Sequence, residues 1–170
     1  MMLSEANAAR VRSFTQGLAL SCAKMPPARF RWQPQVDGGP PGRSASQQLG
    51  ECAVMNAWAA SCLRERRLLS LDISELANAR LVNQDFEAAL ARLNASALEL
   101  ATESAALLEN EWSRRTQFPF TQAACTWSEF LDFFIWNMAY HTGQVNYIQT
   151  LYSAERFPDG ETYRLLHGQE

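Results

Sequence analysis

Apolar residues recur at helical spacing in four separate stretches of the chain, and polar residues fall mostly between them. Ser44 with Gln47, and Thr126 with Glu129, form capping boxes that predict where the second and fourth of these helices begin. The pattern therefore predicts an all-α fold in one domain over residues 1–170, with helix for well over half of the residues and no sheet. The four long helices are predicted at about residues 4–24, 44–67, 84–112 and 126–152.

The connections between these helices shape the predicted architecture. Residues 25–43 hold five of the seven prolines of the chain, so no helix can cross this segment. Residues 68–82 are long enough to cross a bundle, and Asp72 with Glu75 could cap a short helix within them. Four helices with inward apolar stripes predict a four-helix bundle, in which a crossover connection is allowed.

Three polar side chains lie in or beside the apolar stripe of the last predicted helix, namely Asn137, His141 and Gln144. Asn137 and His141 are four residues apart, so they share one helix face and could converge on a single point such as a metal ion. A lone histidine on an apolar stripe is also typical of a buried residue whose hydrogen bonds are satisfied within the core. The sequence leaves both interpretations open.

Glu51 is the only formally charged residue between Leu49 and Leu63, in a helix that is otherwise suited to burial. A buried carboxylate must be neutralised, paired or bound to a metal. The alternative is that Glu51 emerges near the end of the bundle and is solvated.

The segment WNMAYHTGQVNYIQTLY, from Trp136 to Tyr152, resembles the last bundle helix of the DinB-like family of metal-dependent four-helix-bundle proteins. The family motif is close to HxxxHxGQ. His141, Gly143 and Gln144 match it, whereas Asn137 stands where the first histidine is expected. In the family the second helix contributes a histidine seven residues after the serine at its start, and this spacing leads from Ser44 to Glu51.

The resemblance implies a bundle with a crossover, often a homodimer, that uses a divalent ion to act on a small molecule by thiol transfer, isomerisation or hydrolysis. The metal ligands in this chain would be Glu51, Asn137 and His141, and the ion would be nickel, zinc, manganese or iron. This set is poorer for zinc than three imidazoles. The alternative function is a metal-free dimeric binding or structural module, in which Asn137, His141 and Gln144 form a buried hydrogen-bond network.

Aromatic residues crowd the last predicted helix and occupy more of its circumference than one inward stripe can hide. Exposed apolar area of this kind often marks an interface, so we predict a two-fold homodimer unless the connecting loops cover these rings. The crowded residues are Trp127, Phe130, Phe133, Phe134, Trp136 and Tyr140.

The composition of the chain argues against two classes of binding partner, nucleic acids and membranes. A net charge of −3 and a pI near 5.5 provide no basic face, which argues against nucleic-acid binding. No segment has the pattern of a membrane span or a signal peptide, and four cysteines without a CxxC pair are interpreted as reduced thiols, so we predict a cytoplasmic protein without a membrane partner. His167 is interpreted as a surface residue.

Overall fold

The computed structural model describes residues 2–35, 37–118 and 120–151. Within these ranges the fold is all-α, as predicted, and five α-helices account for most of the residues. Tyr152 and His167, which the sequence placed on the apolar stripe and at the surface, lie outside the described residues. The helices are α1 (Leu3–Ala23), α2 (Ala45–Glu65), α3 (Ile73–Leu81), α4 (Phe86–Ala106) and α5 (Trp127–Thr150), and a short 3-10 turn covers Pro27–Arg29.

Side-chain caps begin α2, α3 and α5 at the predicted positions. The Ser44 hydroxyl accepts a hydrogen bond from the backbone N–H of Gln47, whose side chain accepts one from the Ser44 N–H. Thr126 and Glu129 form the same reciprocal pair at the start of α5. The Asp72 carboxylate accepts hydrogen bonds from the first backbone N–H groups of α3. Because each cap satisfies N–H groups that lack a partner within the helix, the local sequence determines where these helices begin.

The prediction that the chain contains no sheet was wrong. Two short strands, β1 (Arg115–Gln117) and β2 (Ala124–Thr126), pair antiparallel with Arg115 opposite Thr126. The backbone N–H of Phe118 donates to the carbonyl of Ala123 at 2.9 Å and closes the ribbon. These pairings join residues up to eleven positions apart, so no pattern within either short strand indicates them.

The third long helix ends at Ala106 and not near Trp112, as the apolar spacing suggested. Leu107 is extended, and the Glu111 carboxylate accepts a hydrogen bond from the backbone N–H of Leu108 at 2.9 Å. Arg66 donates to the carbonyl of Ala106 at 3.3 Å and so satisfies one of the last carbonyl groups of α4. The helix therefore ends early, at a carbonyl group that a side chain distant in sequence satisfies.

Helices α2 and α4 pack side by side and run in the same direction. Near their amino ends, Ser46 of α2 donates to the carbonyl of Gln84, just before α4, at 3.0 Å. Near their carboxyl ends, Arg64 forms an ion pair with Glu103 at 2.8 Å. The connection that contains α3 therefore returns along the length of α2 before α4 begins.

Helix α1 packs against α4 and α5, and α5 also packs against α2. α1 is parallel to α5, since Arg10 pairs with Asp132 at 2.7 Å and Gln149 donates to the carbonyl of Ser21 at 2.8 Å. Glu51, near the start of α2, contacts His141 in the second half of α5. Trp58, further along α2, contacts Phe134 in the first half of α5, so the two helices run antiparallel. This arrangement brings Glu51 and His141 to one level of the fold. None of the described helices is both long and apolar enough to cross a membrane.

Candidate functional site

Glu51 of α2 and His141 of α5 face each other in the interior. Glu51 is 5% exposed and His141 is 1% exposed, and 3.8 Å separates Glu51 Oε2 from His141 Nε2. Glu51 is therefore buried and not solvated at the end of the fold. A carboxylate this deeply buried needs a counter-charge.

Two arginines supply that counter-charge. Arg80 Nη2 lies 2.7 Å from Glu51 Oε1, and Arg43 Nη1 contacts Glu51 Oε2. Neither arginine was identified from the sequence, since Arg43 belongs to the proline-rich connection and Arg80 to the short helix α3. The sequence indicated only that the buried carboxylate of Glu51 needs a partner. It did not indicate which residue that partner is.

A close backbone approach brings Arg80 to Glu51. α3 lies against α2 at Gly50, where an added Cβ would come within 2.9 Å of the carbonyl oxygen of Ala79. Glycine is required at this position because any side chain would push α3 away. The residues next to this contact, Glu51 on α2 and Arg80 on α3, form the ion pair.

The imidazole of His141 is held by two glutamine side chains. Nδ1 lies 2.8 Å from Gln144 Oε1 and also contacts Gln48 Oε1. Gln144 Nε2 donates to the Tyr140 hydroxyl at 2.9 Å, which directs the Gln144 oxygen toward the ring. With the amide groups in these orientations both partners of Nδ1 are acceptors, which assigns the hydrogen to Nδ1 and leaves the lone pair of Nε2 on the side of Glu51.

His141 is neutral at pH 7. Burial, and after it the positive charges of Arg43 and Arg80, lower its pKa from 6.5 to about 4. The Gln144 hydrogen bond opposes this shift without reversing it. The ion pairs of Glu51 therefore join one carboxylate to two guanidinium groups beside a neutral imidazole, and the cluster carries one net positive charge.

Asn137, the third predicted ligand, is buried one turn before His141 on the same side of α5. Its amide nitrogen donates to Cys52 Sγ, 3.8 Å away on α2. The structure thus brings Glu51 and His141 into contact, whereas the amide of Asn137 pairs with the neighbouring thiol.

The surroundings of these donors argue against the three-ligand divalent site that the resemblance implies, which stays a prediction. Among the residues that the structure describes, no group of three or more histidine, cysteine, aspartate or glutamate side chains could hold a metal ion. Two arginines already bind the Glu51 carboxylate, and like charges about 4 Å apart repel by on the order of 4 kcal/mol at an effective dielectric constant of about 20. A divalent cation at this position would require Arg43 to move away.

A cleft of about 500 Å³ opens beside this pair, between the proline-rich connection and the second half of α5. We call it the Arg43 cleft. Gln48 and Gln144, the two side chains that hold His141, form part of its wall. The cleft is lined by Pro34, Gly42, Arg43, Gln48, Ala139, Tyr140, Gly143, Gln144, Tyr147 and Ile148.

Protein-family models, curated proteins and solved structures give no match to this chain. Membership of the DinB-like family stays a prediction that rests on His141, Gly143 and Gln144 and on the order of the helices.

Proposed function

We propose that this chain is a DinB-like four-helix bundle that binds a small molecule in the Arg43 cleft without a metal ion. The observation that carries the proposal is the pairing of Glu51 with both Arg43 and Arg80, which satisfies the charge that a metal ion would otherwise balance. Support for the bundle comes from the packing of the four long helices, in which each helix packs against two others in the order α1, α4, α2, α5 and back to α1. Two of these four pairs are parallel and two are antiparallel. The crossover through α3 agrees with this assignment.

Binding fits these side chains better than metal-free catalysis does. A histidine with a pKa of about 4 is a weak general base at neutral pH. Burial raises the pKa of the Cys52 thiol well above its ordinary value, so the cysteine nearest the pair is not a thiolate. Arg80 holds Glu51 in a fixed orientation, and Gln48 and Gln144 hold His141 in the same way, which suits recognition of a ligand.

One observation favours a second function, a divalent-metal-dependent enzyme that acts on a small molecule. The Nε2 lone pair of His141 and the Glu51 carboxylate face each other at 3.8 Å, and amide oxygens fix the hydrogen on Nδ1, as is common for histidine ligands. In that case Glu51 and His141, with Asn137 after rotation of its amide, would hold nickel, zinc, manganese or iron. The ion would supply a Lewis acid or an activated water.

Thermal melts with and without nickel, manganese and zinc distinguish the two functions. We expect no metal-dependent shift in the parent protein, because Arg43 and Arg80 already neutralise Glu51. A bound ion at 100 times its dissociation constant would add about 2.7 kcal/mol to the free energy of unfolding. Stabilisation of the parent that disappears in Glu51→Gln and His141→Ala would contradict the metal-free proposal. Asn137→His, which puts two imidazoles four residues apart, is the positive control: it is expected to gain metal-dependent stabilisation relative to the parent protein.

We also propose a two-fold homodimer that forms through the outer face of α5. Phe118 and Phe120, in the loop between β1 and β2, cover Phe133 at ring-centroid distances of 6.2 and 6.1 Å. This loop therefore shields part of the aromatic cluster of α5 from solvent. Trp136 and Tyr140 stack at 5.3 Å and stay 57% and 47% exposed. Such a patch supports an interface between two copies of the chain.

Light scattering on the purified protein is expected to give twice the 19.1 kDa mass of the chain at micromolar concentration. Trp136→Glu should produce the monomer, because it puts a charge at the centre of the exposed aromatic face. Leu98→Glu is the matched control, since Leu98 is 64% exposed on α4 and far from this face in the helix order. A monomeric parent protein would rule out this assembly.

A cytoplasmic location is proposed from the cysteines. Cys22, Cys52, Cys62 and Cys125 are all buried free thiols, and thiols persist in a reducing compartment. The acidic net charge supports a small-molecule partner over nucleic acid.

A further inference from the structure

Gly143 leaves open space in the middle of the second half of α5. Outside the backbone of its own helix, an added Cβ would meet no atom of the described residues within 4 Å, in contrast to Gly50, where the backbone of α3 approaches closely. Glycine in a helix interior destabilises it by about 1 kcal/mol relative to alanine. No group among the described residues requires a glycine at 143, and the position opens on the Arg43 cleft.

The walls of this cleft combine one charge with apolar surface. Arg43 is the only charged residue among the described residues that line it. Gln48 and Gln144 add amide groups. Tyr140 and Tyr147 lie three residues before and four residues after Gly143, so their rings flank the gap on the same helix face. Pockets of this size and composition typically hold a small organic molecule by its apolar part and orient it with a few polar groups.

The charges beside the cleft favour an anion. Arg43 and Arg80 together pair with the single carboxylate of Glu51, so one of the two positive charges has no carboxylate of its own among the described residues. The Arg43 side chain is 30% exposed, so it reaches the cleft as well as the interior. A guanidinium group has five N–H donors in a planar fork, and a second carboxylate can take those that Glu51 does not use.

We propose that the Arg43 cleft binds a small organic carboxylate, with the carboxylate on Arg43 and the apolar part over Gly143 between Tyr140 and Tyr147. This inference rests on the proposed function and names the class of ligand. The carboxylate balances the unpaired charge of the arginine pair. The apolar part fills the space that the absent side chain leaves.

Calorimetric titration of the full chain in metal-free buffer tests the inference with phenylacetate and hexanoate as probes. Phenylacetamide and inorganic phosphate are the matched ligands, one without the charge and one without the apolar part. Because charge-assisted hydrogen bonds are about twice as strong as neutral ones, we expect both acids to bind at least about tenfold more tightly than the amide. Phosphate is expected to bind more weakly than either acid.

Gly143→Leu provides the decisive variant. The leucine enters open space and raises helix propensity, so the melting temperature should stay unchanged or rise, while binding of both acids should fall at least about tenfold because the side chain fills the cleft. Arg43→Gln should also lose binding, whereas Arg12→Gln, which removes a positive charge from the groove between α1 and α4, should not.

Several results would overturn the inference: no binding of either acid to the parent, equal binding of phenylacetamide or phosphate, or full binding by Gly143→Leu. Failure of the metal-free function has a different signature, namely metal-dependent stabilisation of the parent in thermal melts. The two failures are measured separately, since one changes the response to acids and the other the response to metal ions.

Discussion

Phe134→Ala is expected to lower the free energy of unfolding by about 3 to 5 kcal/mol. The ring is fully buried and packs against Phe130, Phe133 and Trp58, at centroid distances of 4.9, 5.3 and 5.9 Å. Removing it deletes these contacts and leaves a cavity between α2 and α5 that rigid neighbouring rings cannot fill. Denaturant unfolding followed by far-ultraviolet circular dichroism measures the change.

Leu98→Ala is the control for this experiment. Leu98 is 64% exposed on α4, so its truncation should change the free energy of unfolding by less than about 0.5 kcal/mol. Equal losses in the two variants would mean that the aromatic cluster is not the core of the fold. A change in the denaturant slope of Phe134→Ala alone would indicate that the variant populates a different folded or unfolded state.

The helices could be predicted from the sequence because their signals are local. The stripe of α5 is confirmed by the burial of Phe130, Phe134, Val145 and Ile148, and its start by the cap at Thr126. The predictions that were wrong involve distant partners. The end of α4 depends on Arg66, which approaches Ala106 from forty residues away, and the β-ribbon depends on pairing between two segments with no strand pattern of their own.

The residues of the candidate site also fall into two groups, those that the sequence could identify and those that depend on distant partners. The burial of Glu51 and His141 follows from polar residues on apolar helix faces, so both could be identified from the sequence. Arg43 could not, because its approach to Glu51 depends on the fold of the preceding loop, where the Gly42 N–H donates to the carbonyl of Pro34 at 2.7 Å. Spacing placed Asn137 on the correct face, but the direction of its amide depends on Cys52 of another helix.

Combined replacement of Arg43 and Arg80 by alanine is expected to lower the free energy of unfolding by about 3 to 5 kcal/mol, because it leaves a buried carboxylate without a counter-charge. Glu51→Gln should cost less. The arginine side chains are 30% and 45% exposed and can turn toward water, whereas the side chain of Glu51 is only 7% exposed. The double arginine replacement should therefore lower stability more than Glu51→Gln does, because it leaves a charged group in the interior.

Denaturant unfolding of the parent, Arg43→Ala, Arg80→Ala, their combination and Glu51→Gln measures these differences. Arg92→Ala is the surface control, since Arg92 pairs with Glu75 where both side chains are well exposed, and its effect should be small. Adding Glu51→Gln to the double arginine variant should recover part of the lost stability, because it removes the unpaired charge. If that third change instead lowers stability further, Glu51 has another partner in the folded protein, and the charge argument against a metal ion no longer holds.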